Sequence, residues 1–249
     1  MADAGTENGF PAIAALGVDG LLVRFGAELT EDANRAALAF CAEVAGAGLE
    51  AVVEAAPSLT SVYLRLDLAA GDPDSLRSTL REILDGRDWY AAPLPGGRRL
   101  WRVPAVFGTD LAPQLDEAAA AAGLTPEQAI ESLCEAPLRV QTIGFAPGQP
   151  YLGALREHWN IPRQTGLTPR VPEGALAVAI RQMVLFSVST PTGWRHVGQT
   201  ALRLFRPEEK DPFLLRPGDE VQFRPVPRDE FEAIRARDPM GGAVAEGLH

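Results

Sequence analysis

The stretch "LRVQTIGFAPGQPYLGAL", residues 138–155, carries the reading on which the rest depends. Its first part, "LRVQTIGF", reads as a short strand, and then Gly144, Pro147, Gly148 and Pro150 crowd together. Glycine opens backbone geometry closed to other residues, while proline fixes φ and removes a donor. Such punctuation describes a shaped loop rather than a slack one. The loop either rims a binding site or only turns a corner.

The pattern repeats downstream. "ALAVAI" (175–180), "VLFSVST" (184–190), "RHVGQTALRLF" (195–205) and "DEVQFRPV" (219–226) are short apolar or alternating runs between proline and glycine turns. Many short strands at close intervals predict a β-barrel or sandwich. Just upstream, "DLAPQLDEAAAAAG" predicts a helix that stops at Gly123, and "TPEQAIESLCEA" one capped by Thr125 with Pro126 at its first position. Both helices are expected to pack near the start of the barrel.

Residues 10–92 follow another rule. "GLLVRFG" is a strand, and Thr30 caps a helix with Leu38, Cys41, Val44 and Ala45 along its apolar face. "LEAVVEAAPS" and "TSVYLRLDL" are strands, the second setting Val62, Leu64 and Leu66 against Tyr63, Arg65 and Asp67. "DPDSLRSTLREILDG" is a second helix, with Leu76, Leu80, Ile83 and Leu84 inward. The order β-α-β-β-α is most of a split-βαβ, ferredoxin-like unit, and "RLWRVPAVF" either completes it or opens the next domain. The periodicity breaks at "AAPLPGGRR" (91–99). The fold class is therefore α+β: a small domain over 10–92, a second over 98–227, and a short helix with a loose tail over 228–249.

Composition excludes several functions. The 249 residues are 46% hydrophobic and 22% charged, which suits a folded domain, and the net charge of −10 opposes binding to nucleic acid or anionic lipid. No apolar run approaches the roughly 20 residues of a membrane span. The acidic start "MADAGTENGFPAIAALG" lacks a signal-peptide pattern, so a cytoplasmic location is expected. Cys41 and Cys134 stand far apart without CxxC spacing, and only His158, His196 and His249 supply imidazoles, so no metal site is expected.

P-loop, nucleophile-elbow, HExxH and GxGxxG motifs are all missing. What remains is material for holding an anion. Pro147, Gly148 and Tyr151 belong to the shaped loop. Arg163 and Arg170 stand among prolines in "IPRQTGLTPRVPEG", where restrained backbone lowers the cost of ordering a bidentate contact. "TPTGWRHVGQTALRLF" adds Trp194, Arg195, His196, Gln199 and Thr200, and Gln182 lies on a neighbouring strand. Strict alternation would place Arg195, Val197 and Gln199 on one face and Trp194, His196 and Gly198 on the other. Plainer readings stand beside these: arginine stems laid over apolar surface, a half-buried strand histidine, sheet amides and a core tryptophan.

The ordered run "IGFAPGQPYLGAL…IPRQTGLTPRVPEGALAVAIRQ…TPTGWRHVGQTALRLF…LLRPGDEVQFRPV" resembles the B subunit of bacterial 5-oxoprolinase. That family is also known as allophanate hydrolase subunit 1, as the sporulation histidine-kinase inhibitor type, and as the carboxyltransferase C/D domain. "LGVDGLLVRFG" and "EAAPSLTSVYLRLD" extend the resemblance over roughly residues 10–226. It implies a cyclophilin-like β-barrel for the second domain. It also implies partners, namely a homologous C subunit, and possibly an A subunit, with ATP and magnesium shared between them to phosphorylate a cyclic amide. Within it, Pro147, Gly148, Tyr151, Arg163, Arg170, Gln182, Gln199 and Thr200 would bind substrate or nucleotide, and His196 or Asp110 would handle protons. The chain departs from the family pattern at Gln149, Ile180, Gln199 and Ala201, and carries Asp110 and Gln114 where glutamate and aspartate are usual. Two other functions stay open: a regulatory binding protein of the kinase-inhibitor type, and a carboxyltransferase-like component acting on urea or guanidine derivatives.

Overall fold

Capping chemistry sets the helix ends in this computed structural model, which describes residues 9–248. Thr30 accepts from the Ala33 backbone N–H at 3.2 Å and starts α1 (Glu31–Gly46). Asp72 accepts from the Ser75 N–H at 2.8 Å and starts α2 (Pro73–Asp85) with proline in its first turn. Contacts divide the chain into two compact units at Gly96–Gly97.

In the first unit, β1 (Ala12–Leu16), β2 (Gly20–Arg24), β3 (Val52–Ser58) and β4 (Ser61–Leu66) form a sheet of order β1-β2-β4-β3. Neighbours are antiparallel throughout. Since β4 lies between β2 and β3, the β2-α1-β3 path is a split βαβ of ferredoxin-like type. The fourth position in the sheet is taken by β1, which precedes this path, and not by "RLWRVPAVF". Alternation in β4 buries Val62, Leu64 and Leu66 against Phe40 of α1 and Leu80 of α2. Each such side chain contributes about 1.5–3 kcal/mol by leaving water.

"RLWRVPAVF" instead becomes β5 (Arg99–Phe107), the long strand of the second unit. With β6 (Leu138–Ile143), β7 (Pro150–Gly153), β9 (Ala175–Ala179), β10 (Gln182–Leu185), β12 (Arg195–Thr200) and β13 (Glu220–Pro225) it closes a barrel of seven strands. The ring runs β12-β9-β10-β7-β6-β13-β5 and returns to β12. β13 lies parallel to β5 along its length, while β12 pairs only with Ala105–Phe107. The first half of β5 takes β14 (Val244–Gly247), so the segment expected to be a loose tail is in part a strand. It follows α5 (Arg228–Arg237).

Alternation fills the barrel with Val103, Val140, Leu152, Leu176, Met183 and Val197. The helices α3 (Leu115–Ala121) and α4 (Pro126–Cys134) add Leu115, Ala118, Ala129 and Leu133 to the same core. Thr125 and Gln128 form a reciprocal capping box at the start of α4. The outward residues Ala175, Ala177, Val184 and Phe186 are covered in turn by a small pair, β8 (Thr168–Val171) with β11 (Thr190–Thr192). Among the described residues no helix is long and apolar enough to cross a membrane. Cys41 and Cys134 are free thiols whose pKa values burial pushes up to about 11 and about 12.

Candidate functional site

The opening segment folds as the β6–β7 hairpin. Gly144 N–H donates to Gln149 O at 3.0 Å, and Gln149 N–H to Ala146 O at 3.1 Å. Phe145 stands at the tip with φ 71° and is exposed. Gly148, at φ 69°, lets the turn press on the barrel wall, where a Cβ would lie 3.2 Å from Leu204 O. The prolines and glycines thus hold the tip against the barrel and leave Phe145, Gln149 and Tyr151 facing a cavity.

That cavity is a slot of ≈ 280 Å³ on the outer barrel face. Tyr151 and Trp194 meet edge to face, with ring centroids 6.1 Å apart, and Val184 and Phe186 supply apolar wall. The Arg163 guanidinium lies over the Trp194 ring, 5.4 Å from its centroid. Beside the slot opens a wider cleft of ≈ 620 Å³ lined by Gln114, Glu117, Thr168 and Arg195. Arg163, Gln164 and Leu167 line both cavities and form the wall between them.

Gln164 fixes that wall. Its N–H donates to Gly193 O at 2.7 Å, and its Nε2 donates to Trp194 O at 2.9 Å and to Thr168 Oγ1 at 3.2 Å. Its Oε1 accepts from Gln114 Nε2 at 2.7 Å. Gln114 Oε1 in turn accepts the His196 N–H at 2.9 Å. Arg195 is committed as well: it pairs with Glu117 at 2.8 Å and donates to Pro162 O at 2.6 Å. Arg163 has no carboxylate partner among the described residues, so its charge is available at the shared wall.

The structure distributes the expected residues unevenly. It brings together Tyr151 and Arg163, and adds Gln149, Gln164, Trp194 and Arg195. Pro147 is exposed and Gly148 buried, and neither lines a cavity. Arg170 donates to Ser189 Oγ at 2.7 Å and lines neither. Gln182 is buried and donates to Gln141 Oε1 at 2.9 Å. Gln199 Nε2 donates to Glu173 O and Thr200 O, and Thr200 Oγ1 to Gly174 O, so both brace a turn. Asp110 pairs with Arg228 at the surface.

His196 is buried with its Nε2 unpartnered, and burial pushes its pKa below the usual 6.5. Strict alternation fails here because a bulge falls between His196 and Gly198. His196 pairs with Ala177 and Gln199 with Ala175, so both lie on the outer face. Gln164 carries no signal in the sequence, since an amide before threonine and glycine reads as loop, and Gln114 stands out only as a departure from the family pattern. Arg195 was legible as a strand cation, but its Glu117 partner lies 78 positions away.

The comparisons with known proteins agree with this architecture. The chain matches the carboxyltransferase domain, subdomain C and D, over residues 11–215. It is 31% identical over 230 residues to the B subunit of 5-oxoprolinase from Bacillus subtilis (strain 168), covering 90% of this chain and 96% of that protein. The crystal structure of TTHA0988 superposes with a TM-score of 0.70 at 30% identity, covering 84% of this chain and only 40% of that one. The urea carboxylase of Kluyveromyces lactis shares the fold alone, with a TM-score of 0.70 at 18% identity over 95% of this chain and 24% of that one. The chain belongs to the carboxyltransferase subdomain C and D family, together with the B subunit of bacterial 5-oxoprolinase.

Proposed function

We propose that this chain is one subunit of an ATP-dependent amidohydrolase of the 5-oxoprolinase type. It acts with a homologous C subunit, and in the full cycle an A subunit, on 5-oxoproline or a related cyclic amide or urea derivative. The observation that carries the reading is the uncommitted Arg163 guanidinium on the wall shared by slot and cleft. A small anion held there has its ring against Tyr151 and Trp194 and its far side toward the wider cleft. Charge-assisted hydrogen bonds from a guanidinium laid over the Trp194 ring give such an anion one orientation.

The cavities of this chain offer Arg163 as an uncommitted cation toward the phosphates of a nucleotide. Arg195 is already held by Glu117, and among the described residues no three His, Cys, Asp or Glu side chains group to hold a metal ion. We assign the nucleotide to the partner or to a surface shared with it, and this chain's part is to bind and orient the substrate. The test is ATP hydrolysis by the purified chain with its partner subunits. Stimulation by 5-oxoproline is expected; no turnover across 5-oxoproline, allophanate and similar compounds would reject the reading.

A second reading, a regulatory protein of the kinase-inhibitor type, is favoured by the poverty of proton carriers in the cavities. Glu117 is paired, and neither His196 nor Asp110 lines them. Recovery of a histidine kinase in a pull-down, without effect on ATP turnover, would decide for it.

A further inference from the structure

Among the described residues that line the slot, one buried side chain is left with an unsatisfied polar atom. Gln149 is 1% exposed, lines the slot, and its Oε1 is buried with no hydrogen-bond partner. Its backbone is fixed by both hairpin hydrogen bonds, so the side chain leaves the main chain from a set position. Native proteins rarely leave a buried amide unpaired, because desolvation is then uncompensated. A hairpin that served only as a turn would place an apolar residue here, against Tyr151, Val184 and Phe186.

The remaining walls restrict what supplies the missing partner. A cavity of ≈ 280 Å³ falls at the lower end of small-molecule sites and takes a single small ring, not a nucleotide. Aromatic and aliphatic faces suit the flat sides of that ring, and Arg163 suits an anionic substituent. A primary carboxamide presents an acceptor and a donor side by side, and its last torsion is broad and two-fold, so either end can turn to the slot. Its complement is the cis-amide edge of a lactam or cyclic ureide, which offers N–H and C=O in the same arrangement.

We infer that Gln149 reads the amide edge of a small cyclic amide whose carboxylate is held by Arg163, which makes Gln149 a specificity-determining residue of the slot. This deepens the amidohydrolase reading and rests on it. It assigns the ligand to the outer-face slot beneath the β6–β7 hairpin and gives selection for the amide to a side chain of this chain.

The experiment compares two ligands by titration calorimetry on the full chain: 5-oxoproline and its lactone analogue, 5-oxotetrahydrofuran-2-carboxylate, in which oxygen replaces the ring N–H. The lactam is expected to bind about tenfold more tightly, the difference made by one hydrogen bond to a buried amide. In Gln149→Met the two ligands are expected to bind equally. In Arg163→Met both weaken by roughly tenfold to a hundredfold and the preference remains. Equal binding of the two by the unaltered chain, binding of neither at millimolar concentration, or a preference that survives Gln149→Met would each overturn the assignment. ATP turnover by the assembled subunits reports separately. Turnover of 5-oxoproline with equal binding of the two ligands would remove the role of Gln149 and leave the amidohydrolase reading intact. Lactam preference without turnover would do the reverse.

Discussion

Gln114 and Gln164 meet amide to amide, the Nε2 of one donating to the Oε1 of the other at 2.7 Å across fifty residues of sequence. The contact ties the loop after β5 to the loop before β8. It holds the wall between the two cavities at the place where Arg163 leaves it. A side-chain amide can do this because it donates and accepts at once, as a carboxylate cannot, and the Thr168 hydroxyl closes the same network by accepting from Gln164 Nε2 and donating to Gln114 Oε1.

Gln164→Leu is expected to cost about 2 kcal/mol of stability, since it strands Gln114 Nε2 and the Trp194 carbonyl together. Urea denaturation measures it. A loss below about 0.5 kcal/mol would mean that water replaces the amide without penalty.

Arg163→Met should behave in the opposite way. The guanidinium is exposed and its ring contact contributes at most about 1 kcal/mol, so the melting transition should barely move. Affinity for a small carboxylate should fall by roughly tenfold to a hundredfold, the loss of one charge-assisted contact. Unchanged carboxylate binding would show that the shared wall does not hold the anion.

Acid sensitivity should trace to His196. Burial holds its pKa below 6.5 in the folded chain, so on lowering the pH the unfolded chain takes up a proton that the folded chain refuses. Stability is then full above pH 6.5 and declines as pH falls below it, until the folded pKa is reached. His196→Leu should flatten that part of the stability profile between pH 7 and 5, as read by denaturant midpoints. A slope that persists in the variant would place the proton uptake elsewhere.

Gly174 sits at φ 80° with the Thr200 carbonyl oxygen 2.3 Å from where a Cβ would be. Gly174→Ala should therefore cost roughly 3 kcal/mol, through left-handed strain and displacement of the β12 end. Retention of the parent melting temperature would show that the turn relaxes freely.

Much of the fold was legible because it obeys local rules. Thr30 and Thr125 cap where their side chains demand it, and Val62, Leu64 and Leu66 alternate into a core. The elements that went unread break those rules. β7 begins at Pro150, and β8 and β11 each carry a proline, which on sequence grounds argues against a strand. Pro150 stands at the first position of β7, between β6 and β10, and β8 and β11 form a small sheet of their own, so a missing N–H costs little at each place. β14 is exposed along its length, so no apolar periodicity marks it. The candidate site was half legible for the same reason. Arg163 and Tyr151 announce themselves by charge and ring, whereas Gln149 stands out only as a departure from the family pattern and the contacts of Gln164 are made by tertiary geometry. Arg170 shares the composition of Arg163 but turns to Ser189.

The three partners of β5 bear on how the molecule is made. Glu220 pairs with Leu100 and Val244 with Arg102, so a strand delivered early by the ribosome waits for segments translated well over a hundred codons later. Until they emerge, its apolar residues and unpaired peptide groups are exposed to solvent and to other nascent chains. The first unit makes its sheet from neighbouring segments and is under no such delay. Biogenesis of the barrel should accordingly be the slow, chaperone-sensitive step, a cost set by connectivity rather than by any one side chain.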